Sequence, residues 1–282
     1  MNRLFKLEYY KNLNYRPFRI FTALYFLILI ALLFVGLVDI NITDGLKINL
    51  KEQGFYDFPG IWNFTTYIVA LFKIFPGLII VFSICQEFTN RMFKQNTIDG
   101  LSRQEFVASK VLTITIFTVV STLLVFAITL ALGLNYSKTT ADGVVTEELY
   151  FIANYFVKLF AFFSFLMFLS VLLRKSVFVF LAFFVWWIAE SIIGGVEAYS
   201  RMSGMDKVAR REFLSEGFMF SKLLPLESMS SLVPNPMMRL ELAKMMGMEY
   251  HFTYPWLSLA AAMLWTAVFI FGSYWILKKR DW

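Results

Sequence analysis

The chain has 282 residues, 59% hydrophobic, 19% aromatic and only 16% charged, with 33 Phe and a net charge of +6. Soluble domains carry about 25% charged residues, so a globule of this size cannot hide that much apolar surface, and the composition indicates an integral membrane protein. The single Cys85 excludes an internal disulfide and the single His251 a multi-histidine metal site; the modest, unevenly placed charge reads as membrane topology rather than as a nucleic-acid footprint.

The first 17 residues mix Leu4, Phe5, Leu7, Tyr9 and Tyr10 with Arg3, Lys6 and Lys11. That pattern predicts a helix lying in the membrane interface, with Pro17 marking the bend into the first span. A bilayer core needs about 20 apolar residues per helix, and six segments qualify: 18–38, 61–84, 111–134, 151–173, 176–196 and 255–277. No small-residue cleavage site follows the first, so it reads as an uncleaved span rather than a signal peptide. The fold class expected is therefore all-α and integral to the membrane, one transmembrane domain over 1–282. Its spans one to three occupy 18–134 and its spans four to six 151–277.

Charges inside the spans stand out because an ammonium or carboxylate in the bilayer must find a partner or water. Lys73 lies near the middle of span two, just before Pro76-Gly77, a weak point in a helix. It is a candidate to face a polar cavity in a dimer. Lys158 in span four and Glu190 in span five lie at similar depth, so they are expected to pair across adjacent helices or to line a substrate route. Counting Lys and Arg in the connections sets the orientation. Arg3, Lys6, Lys11, Arg16 and Arg19 precede span one; Arg91, Lys94, Arg103 and Lys110 follow span two; Arg174 and Lys175 follow span four; and Lys278, Lys279 and Arg280 follow span six. Both termini are predicted to be cytoplasmic.

The outer connection 197–254 balances seven basic against seven acidic residues. Its run LLPLESMSSLVPNPMM carries three prolines that break any long helix, so short helices packed over the outer mouth are expected. Nine Met residues fall between Met202 and Met248. Thioethers suit Cu(I), but Met also fills irregular gaps between loosely packed helices, and no metal ligands are assigned.

The connector QEFTNRMFKQNTIDGLSRQEFVASK, from Gln86 to Lys110, is far longer than a tie between spans requires. Ser102-Arg103-Gln104-Glu105 is a capping box, with the Ser102 hydroxyl accepting from the Glu105 amide and Glu105 reaching back to Ser102. Leu101 and Phe106 flank it as a hydrophobic staple, and Asp99-Gly100 supplies the turn upstream. Span three therefore begins as a stiff helix at about Ser102 and runs on through Lys110. Before the turn, Phe88, Met92 and Phe93 fall on one face of a short helix, with Arg91 and Lys94 pointing elsewhere.

The run E-F-T-N-R-x-x-K-Q-N-x-I-D-G-L-S-R-x-E-F-x-x-S-K, Glu87 to Lys110, resembles the segment between spans two and three of type-2 ABC transporter permeases. In that family an acidic residue closes span two, a short coupling helix follows, and a Ser-Arg pair opens the next helix with a Lys a few residues on. The matching positions are Glu87, the 88–98 segment, Ser102-Arg103 and Lys110. One departure is that Met92-Phe93 stands where many members carry Gly-Thr, a larger and more apolar pair.

The resemblance implies a bacterial inner-membrane permease subunit without catalytic residues or cofactor of its own. ATP and Mg belong to a separate ABC ATPase subunit, and a second permease copy or a sister permease completes the path. No G-x-x-x-x-G-K-[ST] phosphate loop occurs in the chain, which accords with that division. Phe88, Met92, Phe93 and Ile98 are expected to insert into a groove of the ATPase, while Arg91, Lys94 and Arg103 set register by charge. The cargo is not legible. Other readings are a machine transmitting ATP-driven motion to an envelope partner, as in gliding-motility relatives, and a copper-related permease. A membrane enzyme would need a cluster of His, Asp or Glu at a membrane face, which the scattered acids do not form.

Overall fold

The computed structural model describes residues 8, 10–34, 40–43, 46–48, 54–138, 141–204, 219–236 and 254–279. The expectations for Arg3 to Lys6, for Met205 and the Met pairs 237–238 and 245–246, for His251 and for the last three residues lie outside this set. Helical residues 10–14 form α1. The chain then breaks at Tyr15, and α2, Arg16–Leu33, starts with Pro17 in its first turn, where a missing amide costs nothing. An antiparallel hairpin follows, β1 (Ile40–Thr43) pairing Ile40 with Ile48 of β2 (Leu46–Ile48). The hydropathy reading had no strands in this loop.

The segment expected as one continuous span at 61–84 is two helices, α3 (Gly60–Leu71) and α4 (Ile74–Thr89), bent by 45°. The cause is local. Pro76 lacks the amide that would bond the Phe72 carbonyl, and the Phe75 amide takes that carbonyl instead at 3.0 Å, tightening the turn around Lys73. Below the break Gly77 lets α4 approach closely, since a Cβ there would meet Leu166 Cδ1 at 2.5 Å.

The short α5 (Met92–Ile98) leads to α6 (Arg103–Tyr136), a single helix of 34 residues. The eight residues from Arg103 to Lys110 carry α6 about 12 Å beyond the predicted span at about 1.5 Å per residue. After α7 (Asp142–Thr146) come α8 (Tyr150–Leu173) and α9 (Ser176–Met202). A 3₁₀ turn (Phe220–Leu223), α10 (Pro225–Ser231) and α11 (Trp256–Lys279) complete the described chain.

Five helical segments are long and apolar enough to cross a membrane, α2, α6, the one containing α8, α9 and α11, and the bent pair α3–α4 passes only when joined. The protein is thus a helical membrane protein. Helix α8 is its centre, packed by α3, α4, α6, α9, α10 and α11. It is apolar over most of its surface, with Phe151, Phe162, Phe163 and Phe165 fully buried, as suits a helix enclosed by others. By contrast α2 and α9 turn Leu27, Val177, Leu181, Val185 and Val196 outward. Such a surface is stable against lipid and not against water.

Candidate functional site

The α4–α5–α6 connector is built on three local devices. Arg91 adopts a left-handed conformation (φ 57°) that ends α4 and starts α5 in a new direction. Gly100, at φ 89°, reverses the chain after α5, a conformation glycine takes without a Cβ clash. The capping box is present in both halves: Ser102 Oγ accepts from the Glu105 amide at 3.2 Å, and Glu105 Oε2 accepts from the Ser102 amide at 2.9 Å. Leu101 and Phe106 are buried in one cluster, as the staple requires.

The aromatic side chains of this segment point inward. Phe93, 3% exposed, stands edge-on to Phe106 with ring centroids 4.7 Å apart, and Phe88 packs on both rings. Val171 of α8 and Leu277 of α11 close the cluster. The expectation that Phe88 and Phe93 project into a partner is therefore corrected. Their apolar area is used to root α5 on the bundle, and Met92 is half-buried beside them. What α5 and the residues flanking it expose is Arg91, Lys94, Gln95, Thr97, Asp99, Gly100 and, among the apolar side chains, Ile98 at 78%. Arg103 turns to α11, donating to the Lys278 carbonyl at 2.5 Å, and Gln104 donates to the Tyr274 hydroxyl at 3.1 Å.

Glu87 and Lys110 do not face outward either. Each is 2% exposed, and both belong to a buried network of two carboxylates and two ammoniums. Lys110 donates to Glu87 and, at 2.5 Å, to Glu8, while Lys11 donates to Glu87 and, at 2.8 Å, to Glu8. The Ser109 hydroxyl adds a bond to Glu8 at 3.0 Å, and Ser83 donates to Asn12 at 3.1 Å next to it. Two acids and two bases cancel, which is what lets four charges lie together away from water. Burial alone would push the Glu8 carboxyl up, but Lys110 and Lys11 together outweigh it and hold it down at about 2. Sequence reasoning named Glu87 and Lys110, gave Lys11 only an interfacial and topological role, and missed Glu8 and Ser109. The one available signal was an acid–base pair three residues apart in the N-terminal segment.

The intramembrane candidates meet at one cavity of about 370 Å³, bounded by the α3–α4 break, α8, α9 and α10. Lys158 and Glu190 both line it, but the expected ion pair is absent among the described residues. Glu190 Oε2 instead accepts from the Leu226 and Glu227 amides at 2.9 and 3.0 Å, and its Oε1 from Trp186 Nε1 at 2.5 Å. Lys158 Nζ donates to the Ser230 carbonyl at 3.3 Å, and Asn154 Nδ2 to the Leu232 carbonyl at 3.0 Å. The two charges thus hold opposite ends of α10, the acid at its free amides and the base at its free carbonyls, as the dipole of a short helix favours. Glu197, two turns further along α9, accepts the amides of Phe220 and Ser221 in the preceding turn. The Lys73 ammonium has no hydrogen bond or ion pair among the described residues, and Nζ lies 4.7 Å from the Phe162 ring centroid.

The family model described as a protein of unknown function (DUF2705) matches residues 43–282, and the chain belongs to that family. The match takes in the α4–α5–α6 connector and the cavity and begins after Glu8 and Lys11. No curated protein and no solved structure matches the chain.

Proposed function

We propose that this DUF2705 chain is the membrane-spanning permease subunit of an ATP-driven transporter, of the type-2 ABC kind that its connector resembles. In this reading the bent pair α3–α4 crosses as one span. The chain then crosses six times with both termini in the cytoplasm, where the Lys and Arg of the connections concentrate. A second permease copy or sister chain completes the path, and an ABC ATPase binds beneath and supplies ATP chemistry.

The observation that carries the proposal is the construction of α5. One face is nailed to α6, α8 and α11 through Phe93, while Arg91, Lys94 and Ile98 are exposed. A helix held this way cannot shift without moving α6, because Phe93 and Phe106 interlock and the capping box makes the start of α6 rigid. A partner gripping Ile98 and the two cations would therefore move a 34-residue helix as a lever. The docking surface is smaller and more basic than the sequence suggests, and the motion enters through α6.

Co-expression with the cognate ATPase tests this. Ile98→Asp combined with Lys94→Glu is expected to abolish co-purification or the permease-dependent part of ATP hydrolysis, while the permease itself melts as before. Full assembly and unchanged stimulated hydrolysis by that variant would overturn the proposal.

A further inference from the structure

We infer that the cavity between the α3–α4 break, α8 and α10 is a binding site for a single-chain amphiphile with one anionic head, a carboxylate or a phosphate monoester. The inference does not depend on the transport reading, because the site needs neither an ATPase nor a second copy.

Its charge arrangement carries the argument. Lys73 and Lys158 both border the cavity, and Lys73 is stacked over Phe162, which lies one turn along α8 from Lys158. Two ammoniums are thus gathered at one wall at membrane depth, where an unpaired charge is costly. Neither carboxylate of the cavity forms an ion pair with them among the described residues. Glu190 is committed to two backbone amides and an indole, and Glu227 attracts both ammoniums only from beyond ion-pair distance. Lys158 has one neutral carbonyl, Lys73 only an aromatic face. A cation–π contact accommodates an ammonium without satisfying its three donors. An anionic head bridging Lys73 and Lys158 supplies acceptors to both.

The remaining wall suits an apolar tail. Phe183, Phe184 and Trp187 of α9 line the cavity, and Phe184 and Trp187 also lie on the outward apolar face of that helix. Phe184 and Trp187 thus border both the cavity and the apolar outer face of α9, an arrangement that lets a membrane-dissolved ligand place its chain against them. At about 370 Å³ the cavity is at the small end of the roughly 300–1,000 Å³ of ligand pockets, room for a head and the start of one chain, not for a two-chain lipid.

The test uses the purified full chain in phosphatidylcholine nanodiscs and reads tryptophan quenching by bromine. The probes are brominated stearic acid, brominated octadecyl phosphate and, as the uncharged control, brominated stearyl alcohol. Saturable quenching is expected with the acid, the phosphate or both, and the pair of curves identifies the head. Trp187→Phe is expected to remove most of the saturable part. Lys73→Met and Lys158→Met are each expected to weaken binding about tenfold or more, as losing a charge-assisted hydrogen bond does. Lys73→Arg retains binding and guards against a folding artefact. Equal quenching by the alcohol, or unchanged affinity in Lys73→Met that melts normally, would overturn the inference.

Discussion

Glu87→Gln removes one charge from the buried network while keeping the shape of the side chain. In the native protein Glu87 Oε1 accepts from both Lys11 and Lys110. After the substitution Glu8 is the only carboxylate facing two ammoniums. Lys11 retains some access to water at 18% side-chain exposure, but Lys110, at 3%, has none. Breaking a buried pair by deleting one partner costs about 3–5 kcal/mol. Because Lys110 keeps its bond to Glu8, the lower figure applies. At about 2–4 °C per kcal/mol, that is a fall in melting temperature of roughly 6–12 °C.

Lys110→Met should cost at least as much, since two carboxylates then share Lys11 alone. The double variant should cost less than the sum, because each change removes the group that the other strands. Tryptophan fluorescence of the detergent-solubilised chain, heated at one fixed scan rate, reads all three. Single variants that melt within about 2 °C of the native protein, or a double variant that is strictly additive, would refute the account of the network as the fastening between α1, α4 and α6.

Two further outcomes follow from the same geometry. The Glu8 carboxyl is held at about 2, below its ordinary 4.5, so its contribution to stability is complete above about pH 4.5 and is lost as the pH falls from there towards 2; across that window the melting temperature should fall more steeply with pH for the native protein than for Glu8→Gln. Gly77→Ala places a methyl group 2.5 Å from Leu166 Cδ1 and 3.3 Å from Phe162 Cε1, an overpacking worth about 1–3 kcal/mol, and its cost should shrink when Leu166 is also replaced by Ala, read by the same melts.

Much of this architecture is written in local sequence. The capping box is legible because Ser102 and Glu105 need only each other, and the spans because length and apolarity are properties of a single segment. Pro76-Gly77 pointed to a weakness below Lys73, although the 45° bend that results was not anticipated. What escaped depends on elements that meet from far along the chain. Phe93 is buried in part because Val171 of α8 and Leu277, near the end of α11, close the same cluster. Glu190 and Lys158 do line one cavity, yet their partners are backbone groups of α10, a seven-residue helix inside a proline-broken loop. No periodicity marks such a helix. In the N-terminal segment, attention to its aromatic and basic residues concealed Glu8, whose significance arises from Lys110.

The charge network also imposes an order on synthesis. Lys11 and Glu87 are 76 residues apart, and Glu8 and Lys110 are 102 apart. The N-terminal pair leaves the ribosome before either of its partners has been made, and it can enter its final site only after α4 and the start of α6 have arrived. Until then Glu8 and Lys11 must remain in contact with water, because a charge without its partner is costly to bury. Its docking is thus a late event, a latch that closes only once α2, the α3–α4 pair and the start of α6 have assembled around it.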